Sequence, residues 1–243
     1  MGKGSRNRKR RANEVKANPN NLPNDNDRIQ YYMDHRLNMD DTFRFECKMC
    51  GQCCTRRDEA IILSGVDIYY ASKELGITIN EFMKKYIHAH IGSRSRVPVI
   101  TLKENSDGKC SLLADNKCSV HNNKPTVCAI YPLGRMQDND KHIYFIQPMD
   151  CPGIFTTKEQ TLKEWLDRFD IEKKSEESKL WYKTQVKITK FLIENDITLN
   201  LGDDLLRFIE LVMYAFDTSL PLMEQLVLHA MQVDFALNIK PEE

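Results

Sequence analysis

Apolar positions along this 243-residue chain follow two different rhythms. From Thr157 to Leu237 they recur at helical spacing. Leu162, Trp165, Leu166 and Phe169 stand at i, i+3, i+4 and i+7, one face of a helix. KLWYKTQVKITKFLIEN continues with mixed apolar and basic faces, and DDLLRFIELVMYAF is almost continuously apolar, which predicts a buried helix. PLMEQLVLHAMQVDFAL opens with Pro221 in the N1-like position favoured at helix starts. Three to four helices are expected to pack as a C-terminal bundle or clamp, their Met- and Phe-rich stripes forming its core.

Between Phe43 and Phe155 the pattern is shorter in wavelength. LSGVDIYYASKELGI reads as a helix with Ser64 as N-cap and Asp67 favouring its N-terminus. TINEFMKKYI opens with Thr78 and Glu81 at capping-box spacing. VPVITLK and KHIYFIQP read as strands, and CSLLADNKCSVH as two short extended arms around an Asp-Asn-Lys turn. RIQYYMDHRLNM is read as a short helix or strand. The fold expected is α+β: a basic tail over 1–28, a small domain of short strands and helices over 29–155, and a helical region over 156–243.

Charge changes this picture only at the N-terminus. Lys plus Arg equals Asp plus Glu, 35 against 35, so no global field points to nucleic acid or an anionic membrane. Seven of the first sixteen residues are Lys or Arg against one acid, in a stretch without periodicity, which predicts a disordered, solvated tail with RNA as a minor candidate partner. No apolar run approaches the roughly 18 residues that span a bilayer, and no apolar h-region opens the chain. A cytoplasmic location without membrane partners is expected, and with it reduced thiols.

The eight cysteines carry the chemistry. Cys47, Cys50, Cys53 and Cys54 fall within CKMCGQCC; Cys110, Cys118, Cys128 and Cys151 follow. Steps of two intervening residues in a short turn aim several sulfurs inward, and Gly51 suits a turn that needs positive φ. Thiolates are soft donors for zinc, iron or iron–sulfur centres, and four unligated sulfurs at this density would be prone to oxidation. All eight are candidate metal ligands. Neighbouring side chains in extended backbone point apart, so Cys53 and Cys54 are expected to face different ways and not to serve one ion together. Cys110 and Cys118 flank the Asp-Asn-Lys turn, and His121 lies within reach as a ligand or a donor behind one. Cys128 sits between Pro125 and Pro132, and Cys151 precedes Pro152 on a presumed distal strand. His88 and His90 are read as exposed imidazoles at a helix end, and His35, His142 and His229 as structural.

FECKMCGQCC, the helix LSGVDIYYASKELGITINEF and then GKCSLLADNKCSVHNNKPTVCAIYP resemble, in that order, the YkgJ-type cysteine-cluster family. The likeness covers about Phe43 to Cys151 and includes Pro125, Cys128, Tyr131 and Pro132 of its last motif. It implies a zinc- or iron-chelating domain whose members are often labelled iron–sulfur proteins, so the cofactor expected is an iron–sulfur cluster, four-iron by preference, or zinc or iron ions. Many members carry arginine where this chain has Lys124 and Ala129; Arg135 follows a few residues later. The function expected is metal binding with a redox or metal-handling role and a redox or protein partner. The alternatives are a cluster-dependent protein-modifying enzyme, since flagellin lysine methylases share the cysteine pattern, and a zinc-stabilised interaction module. No Gly-rich cofactor loop and no nucleophile–base order supports a specific reaction, and no catalytic residue is assigned.

Overall fold

The computed structural model describes residues 24–55, 60–138, 141–147 and 151–238; most of the basic tail lies outside the described residues. In chain order the elements begin with α1 (Asp25–Asp34), β1 (Arg36–Leu37), β2 (Thr42–Arg44), α2 (Gln52–Thr55) and β3 (Ile62–Leu63). There follow α3 (Gly65–Leu75), α4 (Ile79–Tyr86), β4 (Ile87–Ile91), β5 (Pro98–Leu102), β6 (Leu113–Ala114) and β7 (Lys117–Cys118). The remainder is α5 (Thr126–Ile130), β8 (Leu133–Asp138), β9 (Lys141–Ile146), β10 (Glu159–Thr161), α6 (Leu162–Asp167), α7 (Ile171–Glu194), α8 (Asp204–Tyr214) and α9 (Leu222–Ala236). The fold is α+β, with short antiparallel strands and a helical C-terminal region.

The chain forms two compact units, each built from two stretches: residues 1–50 with 130–170, and residues 51–129 with 171–243. In the first unit β1, β9 and β8 form an antiparallel sheet and β2 pairs with β10. Trp165 organises its core. The indole meets Phe43, Phe45 and Phe169 edge-on at centroid distances of 5.5 to 5.9 Å, and its Nε1–H donates to the Ile130 carbonyl at 3.0 Å. The predicted face Leu162, Trp165, Leu166, Phe169 is buried throughout. Helix α1 begins inside the stretch that composition assigned to the polar tail. The cause is local: the Asn24 side chain accepts the Asp27 N–H at 2.9 Å, and Asp25 and Asp27 sit in the first turn, where the helix dipole favours acids.

In the second unit β3, β5 and β4 form one sheet and β6 and β7 a hairpin, over a core that α3, α7, α8 and α9 complete. The predicted capping box of Thr78 with Glu81 is present, and the predicted N-cap Ser64 closes a second one with Asp67, so α3 and α4 start where their sequences say. Gly65 lies so close to its neighbours that an added Cβ would stand 2.4 Å from the Met213 carbonyl oxygen and from Trp181 Nε1. The indole N–H in turn donates to that same Met213 oxygen at 2.7 Å. The start of α3 is thereby pressed directly onto α7 and the end of α8. Helix α8 is amphipathic rather than buried on every side: Leu206, Ile209, Val212 and Met213 face the core while Arg207, Glu210 and Leu211 face out. Pro221 is the N-cap residue of α9, one position earlier than predicted. His88 and His90 stand on strand β4, not on a helix end; period-two alternation puts both imidazoles on its exposed face.

Candidate metal centre

Five of the eight cysteines belong to the second unit, and their positions follow from short local structures. Gly51 takes φ +73°, and its bare Cα face lies against the hairpin turn, where a Cβ would meet the Asn116 carbonyl oxygen at 3.0 Å. The chain then makes one helical turn, closed by the Cys54 N–H on the Gly51 carbonyl at 2.9 Å. On that turn Cys53 and Cys54 bring their sulfurs to 4.0 Å from one another. The expectation that they face apart is thus corrected. Successive side chains on a helix diverge by about 100°, whereas in extended backbone they oppose each other. Cys110 is buried and donates its N–H to the Cys54 carbonyl at 2.8 Å. Cys118 lies on β7 opposite Leu113. The turn before it consists of Asp115 and Asn116, both with positive φ, and Lys117 already belongs to the strand. Cys128 rides on α5, its N–H bonded to the Pro125 carbonyl at 2.8 Å.

These thiols feel one another. A hydrogen bond from Cys54 and the charge of Lys124 bring the Cys53 thiol down to about 6, against the opposing effect of burial. Cys54 is pushed up because its proton is shared with Cys110 and with Cys53. Burial raises Cys118, and burial together with the neighbouring Cys110, Cys53 and Cys118 pushes Cys128 up to about 12. One exposed thiol ready to ionise therefore stands beside others held as protonated donors. No disulfide joins any of the eight cysteines.

Two polar residues support this cluster. Asp67 is more than the predicted helix-terminal acid. One carboxylate oxygen accepts from the Ser64 N–H and hydroxyl, and the other from the Thr126 N–H at 2.8 Å and hydroxyl at 3.0 Å. A single buried side chain thus fixes the starts of α3 and of the Cys128 helix. Glu74 accepts the N–H groups of Asn122 and Asn123, anchoring the loop that presents Lys124. Lys124 was legible only as a departure from the family's arginine. The charge it lends Cys53 needed the fold to appear. His121 is half-buried on the same loop.

The first unit holds Cys47, Cys50 and Cys151. Phe45 O accepts from the buried Gln160 side chain at 2.6 Å, and the Glu46 N–H donates to the Gly153 carbonyl at 2.9 Å, so the segment entering Cys47 is tied to the Cys151 loop. Cys151 is not on a strand. It caps a 3₁₀ turn, Pro152–Ile154, its sulfur accepting the Gly153 N–H at 3.4 Å. Cys50 is exposed and Cys47 half-buried.

Among the described residues, no three Cys, His, Asp or Glu side chains are yet arranged to hold one ion. The donor set nevertheless suits a thiophilic cation. With zinc–sulfur bonds of about 2.3 Å, a tetrahedral site has sulfur–sulfur edges of about 3.8 Å, close to the 4.0 Å of the Cys53–Cys54 pair. Each further ligand would surrender a proton on binding. Among the described residues no helix is long and apolar enough to cross a membrane.

Comparison with known proteins agrees with this chemistry. A family model described as "CxxCxxCC: Putative zinc- or iron-chelating domain" matches residues 46–152, a segment that contains all eight cysteines. It is the family that the sequence resembles, and it supports metal binding in general. No curated protein matches the chain, and no solved structure does.

Proposed function

We propose, from the CxxCxxCC domain over residues 46–152, that this is a thiolate metal-binding protein whose second unit takes up a single zinc or iron ion. The observation that supports this most is the spacing of the Cys53 and Cys54 sulfurs. Two thiolates at 4.0 Å suit one shared ion; in a four-iron cluster each iron takes its own thiolate, and the sulfurs stand farther apart. Cys110, joined to Cys54, is the third ligand in this reading, and Cys118 or Cys128 the fourth. Such an ion would supply positive charge that compensates the thiolates, and it would tie α2 and the Cys110 segment to the β6–β7 hairpin through Cys118 or to α5 through Cys128. Cys53, exposed and inclined to ionise, keeps the ion within reach of solvent, which favours a metal-handling role over a sealed structural one. A reducing, cytoplasmic setting suits this chemistry. Cys47, Cys50 and Cys151 are proposed as a second set of thiolate donors in the first unit.

Anaerobic purification followed by zinc, iron and acid-labile sulfide analysis tests the reading. The expected result is at least one equivalent of zinc or iron per chain and no sulfide. Cys53→Ser and Cys110→Ser should each weaken metal binding by more than the roughly tenfold to hundredfold that follows loss of a supporting outer residue. Stoichiometric sulfide with visible absorption would replace the single ion by a cluster. Full-length protein that stays folded and takes up neither metal would end the proposal.

A further inference from the structure

Helix α9 is apolar on the side that faces away from its own core. Leu222, Leu226, His229 and Val233 point inward. Met223, Val227, Met231 and Phe235 recur every fourth residue along the outer face, with Leu228 beside them, and Phe235 is 88% exposed. An exposed apolar ridge on a helix whose other face is already buried marks a surface that is normally covered. These five side chains together expose roughly 600 Å² of apolar surface, at the top of the range for the largest patch of a monomer.

We infer that this face is a self-association surface, covered by α9 of a second copy of the chain lying antiparallel across a two-fold axis. Two observations favour a second copy over a different protein. The first is charge. Helix α9 contains no Lys or Arg, its outward ridge carries Glu224 alone, and that residue lies in the first turn. Parallel pairing would oppose the two carboxylates, while antiparallel pairing sends them to opposite ends of the contact and sets the helix dipoles head to tail. Asp234, the other acid, is already neutralised by Lys187 at 2.7 Å. A ridge so poor in charge has little with which to select an unlike partner. The second is area. Covering the same ridge on two copies removes up to about 1,200 Å², against the roughly 1,000 Å² that a biological interface requires. Residues at four-residue spacing also form one inclined ridge, which seats between the matching ridges of an identical helix at a crossing angle of about 50°. This inference is independent of the metal reading, since α9 carries no cysteine.

Sedimentation velocity and light scattering on the full chain, from about 1 to 100 µM, decide it. The expected result is a dimer for the unaltered chain and a monomer for Met231→Glu at the same concentrations. Phe235→Asp serves as the second variant, because so exposed a side chain supports nothing in its own fold, and circular dichroism checks that both variants keep their helix content. A monomeric parent chain at 100 µM overturns the inference. So does a dimer that both variants leave intact.

Discussion

His229 is nearly buried, its ring stacked on Phe216 and its Nδ1 3.0 Å from the Val212 carbonyl. A carbonyl only accepts, so Nδ1 carries the proton and the neutral ring satisfies this contact. Burial lowers the pKa below the usual 6.5, outweighing the carbonyl's opposite effect. Well above pH 6.5 folded and unfolded chains are both neutral here and stability is unaffected. Below it the unfolded chain takes up a proton that the folded one resists, so stability falls with falling pH. Denaturant unfolding at pH 7.5 and 5.5 should show the parent chain losing ground to His229→Gln on acidification; a pH-independent gap between the two would refute this. That a histidine beside apolar residues is structural was legible in the sequence. The direction of its shift was not, because Phe216 and Val212 reach it only through the packing of α8 and α9. Cys53 and Cys54 make the same point from the other side. Their orientation turns on whether the backbone there is helical or extended, and four residues hold no periodicity from which to tell.

The helix starts were the most legible elements, because a capping box is complete within four residues. Replacing Ser64 by alanine should cost about 1 kcal/mol, the usual worth of an N-cap. Asp67→Ala should cost more, about 2–4 kcal/mol in thermal or denaturant unfolding. It strips acceptors from two helix starts at once and leaves the Thr126 N–H and hydroxyl unsatisfied in a buried place. Equal losses for the two variants would mean that the link to α5 contributes nothing. Gly65→Ala tests the contact between elements. Its methyl would have to displace Trp181 from the Met213 carbonyl, so a loss of about 1–3 kcal/mol is expected in place of the gain usual for this exchange within a helix. None of this is visible locally, since Gly65 and Trp181 lie more than a hundred residues apart in sequence.

At the scale of the molecule, the segment that carries the family's motifs does not carry its own core. Val66, Ile68, Tyr69, Phe82 and Ile100 share one buried cluster with Trp181, Ile188, Leu192, Leu206, Ile209, Val212 and Met213, all seven beyond the matched residues. At about 1.5–3 kcal/mol for each large side chain buried, those seven contribute on the order of 10–20 kcal/mol. That equals or exceeds the roughly 5–15 kcal/mol by which a typical protein is stable. A fragment spanning 46–152 should therefore remain unfolded by amide-proton NMR dispersion even with zinc added, while the full chain folds. A folded fragment with undiminished zinc affinity would show the C-terminal helices to be dispensable. Hydrophobic periodicity announced those helices, but an amphipathic face does not name the surface it will cover. The interleaving of the two units has a consequence in time. At about 5–20 residues per second, Cys53 and Cys54 emerge during synthesis some 4–15 s before Cys128, and longer still before α7, α8 and α9 exist to enclose the core they adjoin. For that interval the adjacent thiols are open to whatever metal or oxidant the nascent chain meets, so their first chemistry can be decided before the fold that surrounds them is complete.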